Sequence, residues 1–129
     1  MSASILAALL LVQPVQQFDL LCIGEIKSGA TGLPERVQPF SIRIHIDLNH
    51  MVWCEDACAS PTPIADANSA EIVLTRHETP SRSSNLLSVS RTTGRYTGRL
   101  LTPATYNSYV FMDGQCTRAA FTPIPEAQF

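Results

Sequence analysis

The chain has 129 residues, of which 45% are hydrophobic and 16% charged, and its formal net charge is -2. This length predicts one domain, and the apolar content is sufficient for a core. The small negative charge excludes the basic footprint of a nucleic-acid-binding protein. No apolar run after the N-terminus is long enough to form a stable membrane span.

Residues 1–17 are predicted to be a signal peptide. The apolar run from Ile5 to Val12 has the length of a signal-peptide core and is far shorter than a membrane span. No Lys or Arg precedes the run and no small-x-small cleavage site follows it, so a mature N-terminal helix is the alternative. Export is preferred, and the folded domain is then expected to comprise residues 18–129.

The first predicted strand, residues 18–26, has apolar residues on both faces, and a connection with glycine and proline breakers follows at residues 27–38. The second, residues 37–48, has the most regular pattern in the chain. Apolar residues occupy every second position from Phe40 to Leu48. The positions between them are polar: Ser41, Arg43, His45 and Asp47. This period predicts a strand with one buried face and one solvated face.

Two segments after the central strand, residues 49–54 and 64–77, are each predicted to contain a turn followed by a short strand. Asn49 and His50 are expected to form a turn, because Asn tolerates the left-handed conformation, and residues 51–54 then run back. Residues 64–77 mix alanines with β-branched residues. A short strand, a turn at Asn68 and a second strand over residues 70–76 are favoured there over a short helix.

The last third of the chain predicts a hairpin followed by a long strand. Residues 85–90 and 95–101 are expected to pair through a turn in which Gly94 takes a positive φ. Residues 106–121 are interpreted as one strand bent at Asp113 and Gly114, in preference to a hairpin. The sum is an all-β fold, an antiparallel meander of six to eight short strands that forms a half-barrel or small closed barrel, with little helix beyond the N-terminal segment.

The four cysteines support export, because an even number in a small chain is typical of compartments where disulfides form. Four cysteines allow three pairings. Cys54 and Cys58 can close a tight loop, which leaves Cys22 and Cys116 to join the first and last strands. In the chain-entropy model the long loop contributes ~4–5 kcal/mol and the short loop much less.

A metal site is the alternative for the second pair of cysteines. His50, Cys54 and Cys58 are spaced four residues apart and would line one face of a helix. The segment has the pattern of strand and turn, however, and a fourth ligand is not evident. A disulfide is therefore favoured, and neither a metal nor a cofactor is predicted.

Six short motifs are distributed over residues 18–129. They are Phe18-Asp-Leu-Leu-Cys22-Ile-Gly24, Ile46-Asp47-Leu48, Trp53-Cys54-x-x-x-Cys58, Arg91-x-x-Gly94-x-Tyr96, Gly114-Gln-Cys116 and the terminal Phe129. Their order and spacing resemble a loose group of small uncharacterised exported bacterial proteins. The resemblance implies an all-β domain and an exported location, periplasmic or secreted. It implies no catalytic residue, because the group has no agreed activity.

A hydrolytic triad is the sharpest catalytic hypothesis for this sequence. Ser41, His45 and Asp47 have the right residue types, but they share one face of one strand, where His45 and Asp47 lie ~7 Å apart along the chain. A triad normally takes its members from separate elements. A solvated strand face is the preferred interpretation, and the protein is not expected to be an enzyme.

The candidate binding residues are Arg43, His45, Arg91 and Arg95. Arg91 and Arg95 flank a predicted turn and could meet an anion, although hydrogen bonds to turn carbonyls or to nearby carboxylates are favoured. Trp53 is expected to pack on the core. The predicted function is an exported binding or inhibitor-like module for an unknown protein or small-molecule ligand. The alternatives are an envelope-associated interaction protein that pairs through an edge strand and, ranked last, a small hydrolase.

Overall fold

The computed structural model describes residues 16–58, 60–79, 83–102 and 107–124. These ranges contain nine strands and no helix. The strands are β1 (Gln17–Gly29), β2 (Arg36–Asp47), β3 (Val52–Glu55), β4 (Thr62–Pro63), β5 (Asp66–Ala67), β6 (Glu71–Glu78), β7 (Ser84–Ser90), β8 (Arg95–Thr102) and β9 (Ser108–Ala119). They form one antiparallel sheet in the order β4-β3-β2-β1-β9-β8-β7-β6-β5. The predicted all-β half-barrel is therefore confirmed.

Several predicted elements are present where the sequence places them. β5 and β6 flank a turn at Asn68, β7 and β8 flank the turn at Gly94, and β9 runs unbroken through Asp113 and Gly114 while it pairs with both neighbours. The predicted signal peptide falls almost entirely outside the described residues, which begin at residue 16. Within them, no helix is long and apolar enough to cross a membrane.

Three details of the strand prediction were wrong. The strand count is nine, one more than the predicted maximum, because β4, of two residues, was not foreseen. The connection after β1 is short, because the β1–β2 ladder continues to the pair Ser28 and Arg36. In the β2–β3 turn the left-handed residue is Met51, with φ 52, and not Asn49.

The closing segment, residues 62–67, joins the two ends of the sheet. Its first half pairs with β3 as β4, and its second half pairs with β6 as β5. Between them, Ile64 donates its backbone N–H to the carbonyl of Met51, and Ala65 donates to the carbonyl of Val73, each at 2.9 Å. One short stretch therefore links the edges of the sheet across the gap.

Trp53 connects β3 to β6 through the interior. Its ring is 7% exposed, and its indole Nε1–H donates to the carbonyl of Leu74 at 3.2 Å. A buried tryptophan needs such an acceptor for its N–H. The predicted core position of Trp53 agrees with this packing.

The hydrophobic core lies on the concave inner face of the half-barrel. Its most deeply buried aliphatic residues come from β2 and β6: Ile44, Ile46, Ile72 and Leu74. The five apolar residues of the central-strand pattern lie on this inner face, half-buried at Phe40 and Ile42 and completely buried at Ile44 and Ile46.

Two facing glycines let an aromatic pair form across the sheet. Gly24 and Gly114 are directly opposed in β1 and β9, and a Cβ at Gly24 would lie 2.0 Å from the carbonyl oxygen of Asp113. The ring of Phe40 lies over Gly114 and has its centroid 5.8 Å from that of Tyr96. Burial, with a contribution from the charge of Glu55, raises the pKa of Tyr96 to about 12, so the phenol is neutral at physiological pH.

Both expected disulfides are present. Cys22 and Cys116 are directly opposed in β1 and β9, with Cα atoms 4.0 Å apart and 94 residues of sequence separation. Cys54 and Cys58 close a loop of sequence separation 4 after β3. No free cysteine remains.

We predict that the Cys22–Cys116 disulfide contributes more stability than Cys54–Cys58. In the chain-entropy model the long loop contributes ~4–5 kcal/mol and the short loop about 2 kcal/mol. Urea unfolding of the two double Cys→Ala variants measures the difference directly. Equal losses, or a larger loss for the Cys54 and Cys58 variant, would contradict the prediction.

Candidate functional site

A cavity of about 260 Å³ opens at the end of the half-barrel where β1 begins and β9 ends, which we call the closed end. Its wall is formed by apolar side chains from four strands. They are Phe18, Leu20, Ile72, Val89 and Cys116. These residues belong to the inner face, so the cavity is an extension of the core towards solvent.

Arg118 lies at the rim of this cavity because of its register in β9. It is directly opposed to Leu20, two residues beyond the buried Cys116, and therefore lies on the inner face of the sheet. Its guanidinium carbon lies 5.0 Å from the centroid of the Phe18 ring. This cation–π contact orients the charge over an apolar wall.

Arg91 provides the second charge from the turn between β7 and β8. Its Nη1 donates to the carbonyl of Asn68 at 2.9 Å, and its backbone N–H donates to the carbonyl of Ala70 at 2.8 Å. Gly94 closes the same turn with φ 76, and a Cβ there would lie 2.7 Å from the carbonyl oxygen of Cys116. The guanidinium of Arg91 is thus positioned by two turns.

Within the described ranges, neither arginine of the cavity has a carboxylate partner. The ion pairs among the described residues involve Arg43, His45, His50 and Arg95, but not Arg91 or Arg118. Two guanidinium groups beside an apolar wall can bind a carboxylate or phosphate through several charge-assisted hydrogen bonds. The cavity therefore has the chemistry to hold a small anion with an apolar body.

Arg43 and His45 lie in a second cluster, on the outer face of the sheet. Both contact Asp19 of the neighbouring strand β1, whose side chain is completely buried. Arg43 Nε is 2.5 Å from Asp19 Oδ2. His45 Nδ1 is 2.9 Å from Asp19 Oδ1, a distance that suits an ion pair, although the direction is not that of a hydrogen bond.

Two chain segments cover this cluster. The loop closed by Cys54 and Cys58 places the carbonyl of Asp56 at 2.7 Å from His45 Nε2. After β9, the backbone N–H of Thr122 donates to Asp19 at 3.0 Å, and Arg43 donates to the carbonyl of Ala120 at 3.2 Å. Both ring nitrogens of His45 therefore lie close to oxygen atoms of this cluster.

Asp19 is held in its charged form by these contacts. Burial alone would raise the pKa of its carboxyl, but its contacts with Thr122, His45 and Arg43 outweigh burial and lower the pKa. The cluster joins β1, β2, the disulfide loop and the chain after β9. Its geometry is that of a structural network.

The expectation of a solvated polar face on β2 was wrong for His45 and Asp47, which are 6% and 7% exposed. The disulfide loop and residues 120–122 cover the first of these. Asp47 accepts hydrogen bonds from Gln17 and from the backbone N–H of His50, and its Oδ2 is 2.8 Å from His50 Nδ1. Burial would raise the pKa of Asp47, but its contacts with His50 and Gln17 lower it.

The residue types of the hypothetical triad are not assembled. Ser41 is exposed, and the carboxylate that contacts His45 is Asp19 from β1. Asp47 contacts His50 instead. Among the described residues, no group of three or more His, Cys, Asp or Glu side chains is placed to hold a metal ion.

Arg95 forms an exposed ion pair away from the cavity. Its Nε and Nη2 donate to the two carboxylate oxygens of Asp113 at 3.0 and 2.9 Å. These hydrogen bonds raise the pKa of Arg95 and lower that of Asp113. The contacts of Arg91 with a turn carbonyl and of Arg95 with a carboxylate are those that the sequence favoured.

The four candidate binding residues therefore lie in three places. Arg43 and His45 meet in the Asp19 cluster, Arg91 lines the cavity, and Arg95 pairs with Asp113. Sequence reasoning missed Arg118 as a member of the site. Its position two residues after Cys116, in the same strand, was the available signal, because such residues share a face.

No family model, curated protein or solved structure matches the chain in the comparisons with known proteins.

We predict that Asp19→Asn destabilises the fold by about 3 kcal/mol at neutral pH, because it removes one partner of a buried ion pair. The folded pKa of Asp19 is lowered, so its stabilisation is present at pH above about 4 and is lost as the pH falls through that lowered value. Urea unfolding at a series of acid pH values should therefore show that the free energy of unfolding falls less with decreasing pH in the variant than in the parent. Some loss remains, because Asp47 and Asp113 also have lowered pKa values. Identical pH profiles for variant and parent would contradict the assignment.

Proposed function

We propose that the protein is an exported, non-catalytic binding module whose closed-end cavity takes a small anion with an apolar body. The observation that carries this proposal is the pair of guanidinium groups, Arg91 and Arg118, beside an apolar wall and without a carboxylate partner in the described part of the chain. Uncompensated, oriented charges at an apolar cavity favour a ligand that supplies both a negative charge and an apolar surface.

The size of the cavity limits the ligand. Its volume of about 260 Å³ lies just below the range of ~300–1,000 Å³ that is usual for small-molecule sites. A short acyl chain or a single aromatic ring fits such a volume, whereas a long lipid does not. We therefore assign a short-chain or aromatic carboxylic acid as the ligand class.

Export is supported by the two disulfides. Disulfides persist in oxidising compartments and are rare in reducing ones, and this fold has two with no free cysteine. The predicted signal peptide and the resemblance to small exported bacterial proteins agree with a periplasmic or secreted location.

A binding role is favoured over hydrolysis by the positions of the titratable groups. The His45 side chain is 7% exposed and both its ring nitrogens lie close to oxygen atoms of the protein, so neither nitrogen is directed at a substrate. The His50 ring is exposed and contacts Asp47, but Ser41, the serine of the hypothetical triad, lies six residues before Asp47 in the same strand.

We predict that octanoate binds at least about tenfold more tightly than octanol, because only the acid can pair with the guanidinium groups. Isothermal titration of the disulfide-bonded protein with hexanoate, octanoate and benzoate measures the affinities, and octanol is the neutral control. Arg91→Gln and Arg118→Gln should each weaken binding of the best acid by about tenfold, since each removes a charge-assisted hydrogen bond.

Arg99→Gln is the matched control, because Arg99 is an exposed arginine on the outer face that does not line the cavity. It should leave the affinity unchanged. The proposal is wrong if no acid binds, or if the control weakens binding as much as the two cavity variants do. Equal affinity for octanol and octanoate would exclude anion recognition.

A further inference from the structure

The half-barrel is open at the end opposite the cavity, where β1 turns into β2. β3 pairs with β2 only from Ile44 to Asp47, and the closing segment pairs with β6 only at Ile72 and Val73. Neither continues further. Within the described residues, β2 from residue 36 to residue 42 and β6 from residue 75 to residue 78 therefore have no strand beside them on the sides that face this gap.

The contacts of Arg43 show which residues of β2 direct their backbone groups away from β1. Its carbonyl accepts from the backbone N–H of Asp56 at 2.8 Å, and its N–H donates to the Asp56 carboxylate at 3.1 Å, so Arg43 faces away from β1. Backbone groups alternate along an antiparallel strand. Ser41, Pro39 and Val37 therefore direct their backbone groups into the gap, whereas Phe40 bonds to β1.

Pro39 fits this assignment. Proline has no N–H and is tolerated in a strand only where no ladder bond is needed on its nitrogen side. It occurs within the twelve residues of β2 at a position that faces the gap, so the β1–β2 ladder loses no bond. The free edge still offers N–H groups at Val37 and Ser41 and carbonyl groups at all three residues.

The inner face at the open end is an apolar trough. Side chains at neighbouring positions of five adjacent strands form it, and each of them is half-buried or exposed. They are Ile26, Phe40, Leu87, Leu100, Val110 and Met112. Leu100 is 42% exposed. A contiguous apolar surface of this kind, left open to water, is typical of an interaction site.

We propose that this gap receives an extended segment of a partner protein, which pairs with the free edge of β2 and inserts alternate apolar side chains into the trough. The free backbone groups require a partner that carries a main chain, and an apolar ligand alone would leave them without bonds. The two-residue period of a strand places every second side chain of such a segment over the trough.

A second copy of this chain fits the edge less well. Self-pairing of β2 centred on Pro39 would oppose two prolines, neither of which has an N–H to donate. Centring the pair on Ser41 would oppose Pro39 to Arg43, whose backbone groups are already bonded to Asp56. These two registers favour a different chain as the occupant, and this proposal does not depend on the ligand of the cavity.

The test uses a phage-displayed library of random peptides of about twelve residues, longer than a typical strand, selected on the immobilised disulfide-bonded protein. We expect enriched peptides with apolar residues at alternate positions. A synthetic copy of one such peptide should shift the amide NMR signals of Val37 and Ser41 and slow their hydrogen exchange. Failure to enrich any sequence, or shifts confined to the closed-end cavity, would overturn the proposal.

Two pairs of variants separate the edge from the rest of the surface. Leu100→Asp places a charge in the trough and should weaken peptide binding at least about tenfold, since it buries an unpaired charge. Ile23→Asp, at a residue 64% exposed on the outer face, is its control and should have no effect. Ser41→Pro removes a backbone N–H that faces the gap, as the nitrogen of Pro39 does, and should also weaken peptide binding. Ser88→Ala, on the outer face of β7, is its control and should have no effect. Equal effects of a variant and its control on peptide binding would contradict the proposal. A dimer that is seen in light scattering and that the peptide dissociates would assign the edge to a second copy of this chain instead.

Discussion

The pairing of the first strand with the last is the constraint on which the rest of this structure depends. β1 lies in the middle of the sheet, between β2 and β9, and the Cys22–Cys116 bond fixes its register against β9. Every other strand is added outward from this pair along the chain. Because the pair closes a loop with a sequence separation of 94 residues, its formation is costly in chain entropy until the disulfide is made. The same pairing brings Leu20 opposite Arg118 and so creates the cavity.

The inner face of the fold could be read from the sequence, and the outer face could not. The alternation from Phe40 to Leu48 identifies one face of β2 unambiguously, since an apolar residue at every second position has no other simple explanation. The polar residues between them appear equally solvated in the sequence. Whether His45 is covered depends on where the Cys54–Cys58 loop and residues 120–122 lie, which is a property of tertiary structure.

The candidate site shows the same division. The turn that holds Arg91 could be predicted because Gly94 marks it. Arg91 and Arg95 bind a carbonyl and a carboxylate, as their residue type favours, but these partners lie 23 and 18 positions away in the sequence. Arg118 could not be recognised as its companion, because the two arginines are 27 positions apart in the sequence and meet only after β9 has been placed between β1 and β8. The disulfide pairs were predictable because the short loop left only one choice for the remaining cysteines.

The closing segment divides the half-barrel into two ends with different chemistry. Where it spans the gap, the closing segment and Trp53 link β3 to β6. The interior at this end contains a small cavity with two arginines at its opening. Beyond it, no strand in the described part of the chain pairs with the facing edges of β2 and β6, and the apolar trough lies between them. A sheet that curls this far could have closed along its whole length if β3 and the closing segment had been as long as β2. Their shortness leaves backbone groups and apolar side chains exposed together, and a free edge carries a risk of aggregation unless it is blunted or occupied. Pro39 blunts this edge only in part, which favours a role in which the edge is used.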